Sequence, residues 1–126
     1  MTDMQILVVE DNERNMRLFR DVLEAAGHRT LAATTGERAV DLAGEHAPDL
    51  VLMDIQLPGI GGVEALGRIR ADERTRAVPV LALTAQAMEG DRERFLAAGF
   101  DGYLSKPVDI ADLVATVGRY GRSTTR

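Results

Sequence analysis

Short apolar runs alternate with longer stretches in which apolar residues return every three or four positions. Ile6–Val9, Leu50–Met53 and Val80–Leu83 are apolar throughout, as strands buried on both faces are. Arg29–Ala33 and Gly102–Ser105 are mixed, as edge strands are. Between these runs, Met16, Phe19, Leu23 and Ala26 share one helical face, which Gly27 ends. Thr34 with Glu37 three residues on reads as a capping box. The helix it opens runs through Ala39, Val40 and Ala43 and stops before Pro48. Val63, Ala65, Leu66 and Ile69 mark a third helix. Gln86 to about Ala98, with Met88, Phe95 and Leu96, marks a weaker fourth. Asp109 caps a fifth, with Ile110, Leu113, Val114 and Val117 as its expected inner face.

Five strands alternating with five helices predict an α/β fold, doubly wound, with a parallel sheet covered on both faces. The all-apolar runs belong inside the sheet and the mixed ones at its edges. That fits five parallel strands in order 2-1-3-4-5, with the first and third side by side at the switch point. Ligands of such sheets bind beyond the carboxyl ends of the strands.

Composition narrows the class. At 126 residues, 45% hydrophobic and 28% charged, the chain has the size and make-up of one soluble domain, 1–126, with 119–126 as a short tail. A net charge of -5 with no basic cluster argues against nucleic acid. The lack of Cys excludes a disulfide framework and a thiolate zinc site. No apolar run approaches the ~20 residues of a membrane helix, so no membrane insertion is expected. Met1–Gln5 lacks the basic region of a signal peptide, and the expected location is cytoplasmic. Met1 close before the first strand argues for an independent gene.

The strand ends carry the chemistry. Glu10-Asp11, Asp54, Thr84 and Lys106 each follow or finish an apolar run, so the fold brings three carboxylates, a hydroxyl and a lysine to one sheet edge. Clustered carboxylates repel unless a cation joins them, and oxygen donors without His or Cys suit Mg²⁺, with Mn²⁺ as a substitute. A metal beside Asp54 would align a phosphoryl group for attack by the carboxylate. Lys106 and Thr84 would answer the phosphate's charge. His28 and His46 read as solvated helix-end residues. The Gly59–Gly62 stretch lacks the spacing of a nucleotide cradle and reads as a flexible loop.

Glu10-Asp11, Asp54, Thr84 and Lys106-Pro107, with Met53–Pro58 around the central acid, resemble the receiver domain of two-component response regulators. The resemblance covers Ile6 to about Val117, and is nearest to single-domain regulators of the DivK type; similar wording occurs in receivers of hybrid kinases, and a receiver excised from one is the alternative to an independent gene. It implies a CheY-like, flavodoxin-like (βα)5 three-layer sandwich, whose strand order is itself a trait of the family. By resemblance, Asp54 is the phosphoacceptor and Asp11, Glu10, Asp54 and the Gln56 backbone carbonyl bind Mg²⁺. Lys106 contacts the phosphoryl group, and its peptide bond to Pro107 is expected to be cis. Thr84 and Tyr103 form the switch, and Gln56 and Gln86 set phosphate lifetime. Asn15 and Leu18 meet the donor, a histidine kinase or histidine phosphotransfer protein. The output would be binding to a downstream protein target, with the chain a monomer or weak dimer.

An aspartyl-phosphate phosphohydrolase of the haloacid-dehalogenase type would carry a second acid two residues after the nucleophile. Here that position is Gln56, which cannot protonate a leaving group. The chain is therefore expected to be a phosphoacceptor that catalyses its own phosphotransfer and slow dephosphorylation, not a turnover enzyme.

Overall fold

A computed structural model describes residues 4–85 and 91–124. The elements alternate as β1 (Gln5–Val9), α1 (Glu13–Ala25), β2 (Arg29–Ala33), α2 (Gly36–His46), β3 (Leu50–Asp54) and α3 (Gly62–Ala71). They continue as β4 (Val80–Thr84), α4 (Asp91–Ala98), β5 (Gly102–Ser105) and α5 (Ile110–Thr124). All strand pairs are parallel, in the order β2-β1-β3-β4-β5. The all-apolar runs are the three inner strands, and the mixed ones are the edges, as the residue pattern requires.

Side-chain alternation divides the core into two layers. Leu7, Val9, Val51, Met53, Val80 and Ala82 face one side, where they meet Leu42 of α2, Leu66 and Ile69 of α3 and Phe95 of α4. Ile6, Val8, Leu50, Leu52, Leu81 and Leu83 face the other, against Met16, Phe19 and Leu23 of α1 and Leu113 and Val117 of α5. Arg70 locks the amino-terminal side of the sheet. Its guanidinium donates to the carbonyls of Arg76, Val78 and Gly99 and to the Asp101 carboxylate at 2.9 Å. The same Asp101 oxygen accepts from Val80 N–H at 2.8 Å.

Several expectations change. The cap of α2 is Thr35, not Thr34: its hydroxyl accepts from Arg38 N–H at 3.1 Å. Of two adjacent threonines, only the one in extended geometry directly before the helix can reach that amide. Glu37 does not close a capping box; its carboxylate accepts instead from Ile60 N–H at 3.3 Å. Val63, Ile110 and Val114, placed on inner helix faces by periodicity, are exposed, whereas Leu66, Ile69, Leu113 and Val117 are buried. Both α3 and α5 therefore rest on the sheet along a stripe narrower than their apolar sequence pattern. His28 is buried, not solvated. The β1 start packs over it, and its Nδ1 accepts from Met4 N–H at 3.2 Å. His46 is exposed. Residues 119–124 continue α5 and do not form a separate tail. Asp109 does cap that helix, accepting from Asp112 N–H at 3.1 Å. The start of the fourth helix at Gln86, and Gln86 itself, lie outside the described residues.

Candidate functional site

At the carboxyl end of the sheet, β1 and β3 are neighbours, so Glu10 and Asp54 emerge side by side. On β3, Leu50, Leu52 and Asp54 alternate toward the α1–α5 side. Two backbone amides hold the acids. Asn12 N–H donates to Glu10 Oε2 at 3.1 Å, and Gln56 N–H donates to Asp54 Oδ1 at 3.0 Å. Asn12 is also the cap of α1, its side chain accepting from Asn15 N–H at 2.9 Å, which fixes where the Glu10-Asp11 turn enters the helix. One oxygen each from Glu10, Asp11 and Asp54 lies within 4.8 Å of the others.

Lys106 reaches this cluster from the β5–α5 connection. Its Nζ lies 2.9 Å from Asp54 Oδ2 and 2.8 Å from Glu10 Oε1, with its side chain 18% exposed. The Asp54 contact is a well-formed hydrogen bond. The Glu10 contact is close but poorly aligned, so Oε1 is left as a buried oxygen with charge nearby and no directed partner. A hard cation fits that arrangement, because it satisfies oxygens by proximity and needs no hydrogen-bond angle. Lys106 is positioned through its own backbone, where its N–H donates to Thr84 carbonyl at 2.7 Å. Its bond to Pro107 is cis.

Burial is the main influence on Glu10 and raises its pKa above the ordinary carboxylate value; the Asp54 charge pushes the same way, while Lys106 and the Asn12 amide oppose. Burial alone would lower the Lys106 pKa, but the Asp54 hydrogen bond and the close charges of Asp54 and Glu10 outweigh it and raise it. Tyr120 is also raised, by burial first and then by Asp101. A raised folded pKa means that the fold holds its proton more tightly than the unfolded chain. For Lys106 and Tyr120 that contribution is complete below the unfolded values and is lost as pH rises through the folded ones. We expect stability in denaturant to fall progressively above about pH 10. Tyr120→Phe should remove part of the alkaline slope and keep the Lys106 part; an unchanged slope would remove Tyr120 from this account.

Thr84 ends β4, buried, and Tyr103 lies on the neighbouring strand opposite Ala82. Thr84 shares the alternation of Val80 and Ala82, so both switch candidates project to the α2–α4 side, away from the Asp54 face. The Tyr103 ring packs 5.8 Å from that of Phe95 on α4. Glu10, Asp11, Asp54 and Lys106 are thus gathered at one point, with Thr84 beside them through the Lys106 backbone. Gln56 joins through its amide. Asn15 is half-buried and Leu18 exposed on α1, while Met16 between them belongs to the core.

The model of the response regulator receiver domain matches residues 6–118. The chain belongs to that family. The receiver is 48% identical over 115 residues to the polar-differentiation response regulator DivK of Brucella ovis, covering 91% of this chain and 94% of that protein. Among solved structures it resembles the receiver domain of the Pseudomonas aeruginosa sensor histidine kinase PA1611, with a TM-score of 0.88 and 40% identity. That match covers 95% of this chain and 98% of the other, which carries a magnesium ion in its active-site cleft. The Francisella response regulator 1452 receiver aligns with a TM-score of 0.90 at 25% identity, over 97% of this chain and 99% of that one. The receiver is therefore a DivK-like module of two-component signalling, with an acidic cluster of the composition that suits Mg²⁺. No helix among the described residues is long and apolar enough to cross a membrane.

The residue reading did not anticipate two contributors, the Asn12 amide and the Glu37 carboxylate. The first acts through its backbone, which no side-chain pattern reveals. The second sits where a capping partner was expected, and its true acceptor role depends on a loop 23 residues away.

Proposed function

We propose that Asp54 accepts a phosphoryl group from the phosphohistidine of a histidine kinase or histidine phosphotransfer protein, and that the phosphorylated chain acts by binding a downstream protein. The observation that carries this reading is the Asp54 carboxylate, buried at a strand end, with Oδ2 on Lys106 Nζ at 2.9 Å and Glu10 and Asp11 alongside.

An Asp54 oxygen attacks phosphorus, the P–N bond of the donor breaks, and the imidazole nitrogen keeps the electron pair. Lys106 turns its ammonium from the carboxylate to the phosphoryl oxygens, and Thr84 donates its hydroxyl to another. Mg²⁺, held by Glu10, Asp11, Asp54 and the Gln56 carbonyl, would neutralise charge on the transferring group; Mn²⁺ suits the same oxygen donors. The Thr84 movement frees space on the α2–α4 side for Tyr103 to turn inward. A charge-assisted hydrogen bond is worth roughly 1.5–3 kcal/mol, comparable to the gap between two conformers of one fold. Gln56 supplies no proton-transfer group for rapid hydrolysis, so autodephosphorylation is slow, with Gln56 and Gln86 setting its rate. The donor docks on α1 around Asn15 and Leu18. One receiver unit accounts for the chain, and its setting is the cytoplasm.

The test is to phosphorylate the chain with a small-molecule phosphodonor and Mg²⁺, trap the acyl phosphate by reduction, and locate it by mass spectrometry. The product is expected at Asp54. Modification at another residue, or none while a control receiver is labelled, overturns the assignment.

A further inference from the structure

The loop between β3 and α3 is built against the first turn of α2, and three glycines make the fit. A Cβ on Gly59 would lie 2.6 Å from both carboxylate oxygens of Glu37, and Gly59 has a φ of +76° besides. A Cβ on Gly36 would lie 2.6 Å from Ile60 O and from its Cγ1. A Cβ on Gly62 would lie 2.5 Å from the Asp54 carbonyl oxygen. At Gly36 and Gly62 the close atom is a backbone oxygen, which cannot give way as a flexible side chain does; at Gly59, where the Glu37 carboxylate could shift, the positive φ favours glycine.

The loop is tied at both ends. Gly62 N–H donates to Ile55 O at 3.1 Å, closing its base directly beneath Asp54. At the far side, Ile60 N–H donates to Glu37 Oε2 at 3.3 Å. Between these ties lies Gln56, whose amide already serves Asp54 Oδ1 at 3.0 Å. The Gly-rich stretch that reads as a flexible loop therefore has a packing purpose: it lets a carboxylate on another helix hold the loop that follows Asp54.

We propose that Glu37 is a positioning residue for the phosphorylation site, fixing the loop from Ile55 to Gly61 so that the Gln56 backbone stays aligned with Asp54. Glu37 touches no reacting atom. It acts by capturing Ile60 N–H, and its effect reaches the site along the few residues between Ile60 and Gln56. This rests on the proposed roles of Asp54 and Gln56.

Glu37→Ala and Glu37→Gln separate the roles. In the metal-free protein, amide hydrogen exchange at Ile60 and Gln56 should quicken in Glu37→Ala and stay near wild type in Glu37→Gln, whose carbonyl still accepts. In Mg²⁺ titrations followed by amide chemical shifts, Glu37→Ala should bind about tenfold more weakly, the low end for loss of an outer support, because the support is indirect. Glu37→Gln should restore most of the affinity. A purely structural role would lower the thermal midpoint without changing Mg²⁺ affinity relative to the loss of stability. If wild type binds Mg²⁺ and is labelled at Asp54 while Glu37→Ala matches it in exchange and affinity, the positioning role is wrong and the Asp54 assignment stands. If wild type itself takes neither metal nor label, the proposed function fails first.

Discussion

Asp54→Asn is expected to reduce phosphoryl labelling to background while leaving the chain folded. A carboxamide has nearly the shape of the carboxylate but is no nucleophile, so the P–O bond cannot form. The substitution also removes one of three clustered carboxylate charges, so Mg²⁺ affinity is expected to fall with it. The fold pays a small cost through hydrogen bonding. Two donors meet Asp54, the Gln56 amide on Oδ1 and the Lys106 ammonium on Oδ2. Asparagine has one oxygen, so whichever way it turns, its NH₂ faces a donor. The expected loss is about 1 kcal/mol, read from denaturant midpoints in the absence of metal. Labelling at wild-type level in the folded variant would move the acceptor elsewhere.

Lys106→Met is expected to give the largest loss of stability of any exchange in the site, and to make that stability depend on Mg²⁺. The ammonium lies between two buried acids, Glu10 at 1% exposure and Asp54 at 5%. Removing one member of a buried ion pair costs roughly 3–5 kcal/mol, because the remaining charge stays desolvated. The low end is expected here, since Glu10 is already biased by burial toward holding a proton and can neutralise itself. Mg²⁺ at concentrations well above its dissociation constant should recover most of the loss, as binding to the folded state alone adds stability by mass action. Wild type, with its own cation in place, should gain less from the metal. Equal gains for both proteins would mean that Lys106 does not share the carboxylates with the metal.

The fold was legible because the signal that sets it is coarse. Three all-apolar runs and two mixed ones can be ordered in a sheet without knowing any contact, and the site follows from the strand ends. What escaped depended on particular neighbours. Thr34 and Thr35 differ only in which reaches the Arg38 amide. Periodicity gave α5 an apolar stripe containing both Ile110 and Leu113, but only packing decides that Leu113 meets the sheet. His28 looked like a solvated helix-end residue until the β1 start, distant in the chain, closed over it. Glu37 fitted a local capping rule, and a loop amide captured it first. Apart from the threonine cap, a local pattern competed with a tertiary partner, and the tertiary partner won.

The ammonium between Glu10 and Asp54 belongs to the only lysine in the sequence, the other basic side chains being arginines and two histidines. Side-chain amine chemistry therefore has one target in this sequence, the centre of the site. Held protonated by its two acids, that amine is a poor nucleophile, and its acylation rate should change whenever a cation or phosphoryl group alters what those acids hold. The protein thus carries a single built-in chemical probe of its own occupancy, readable in unmodified chain without introducing a label.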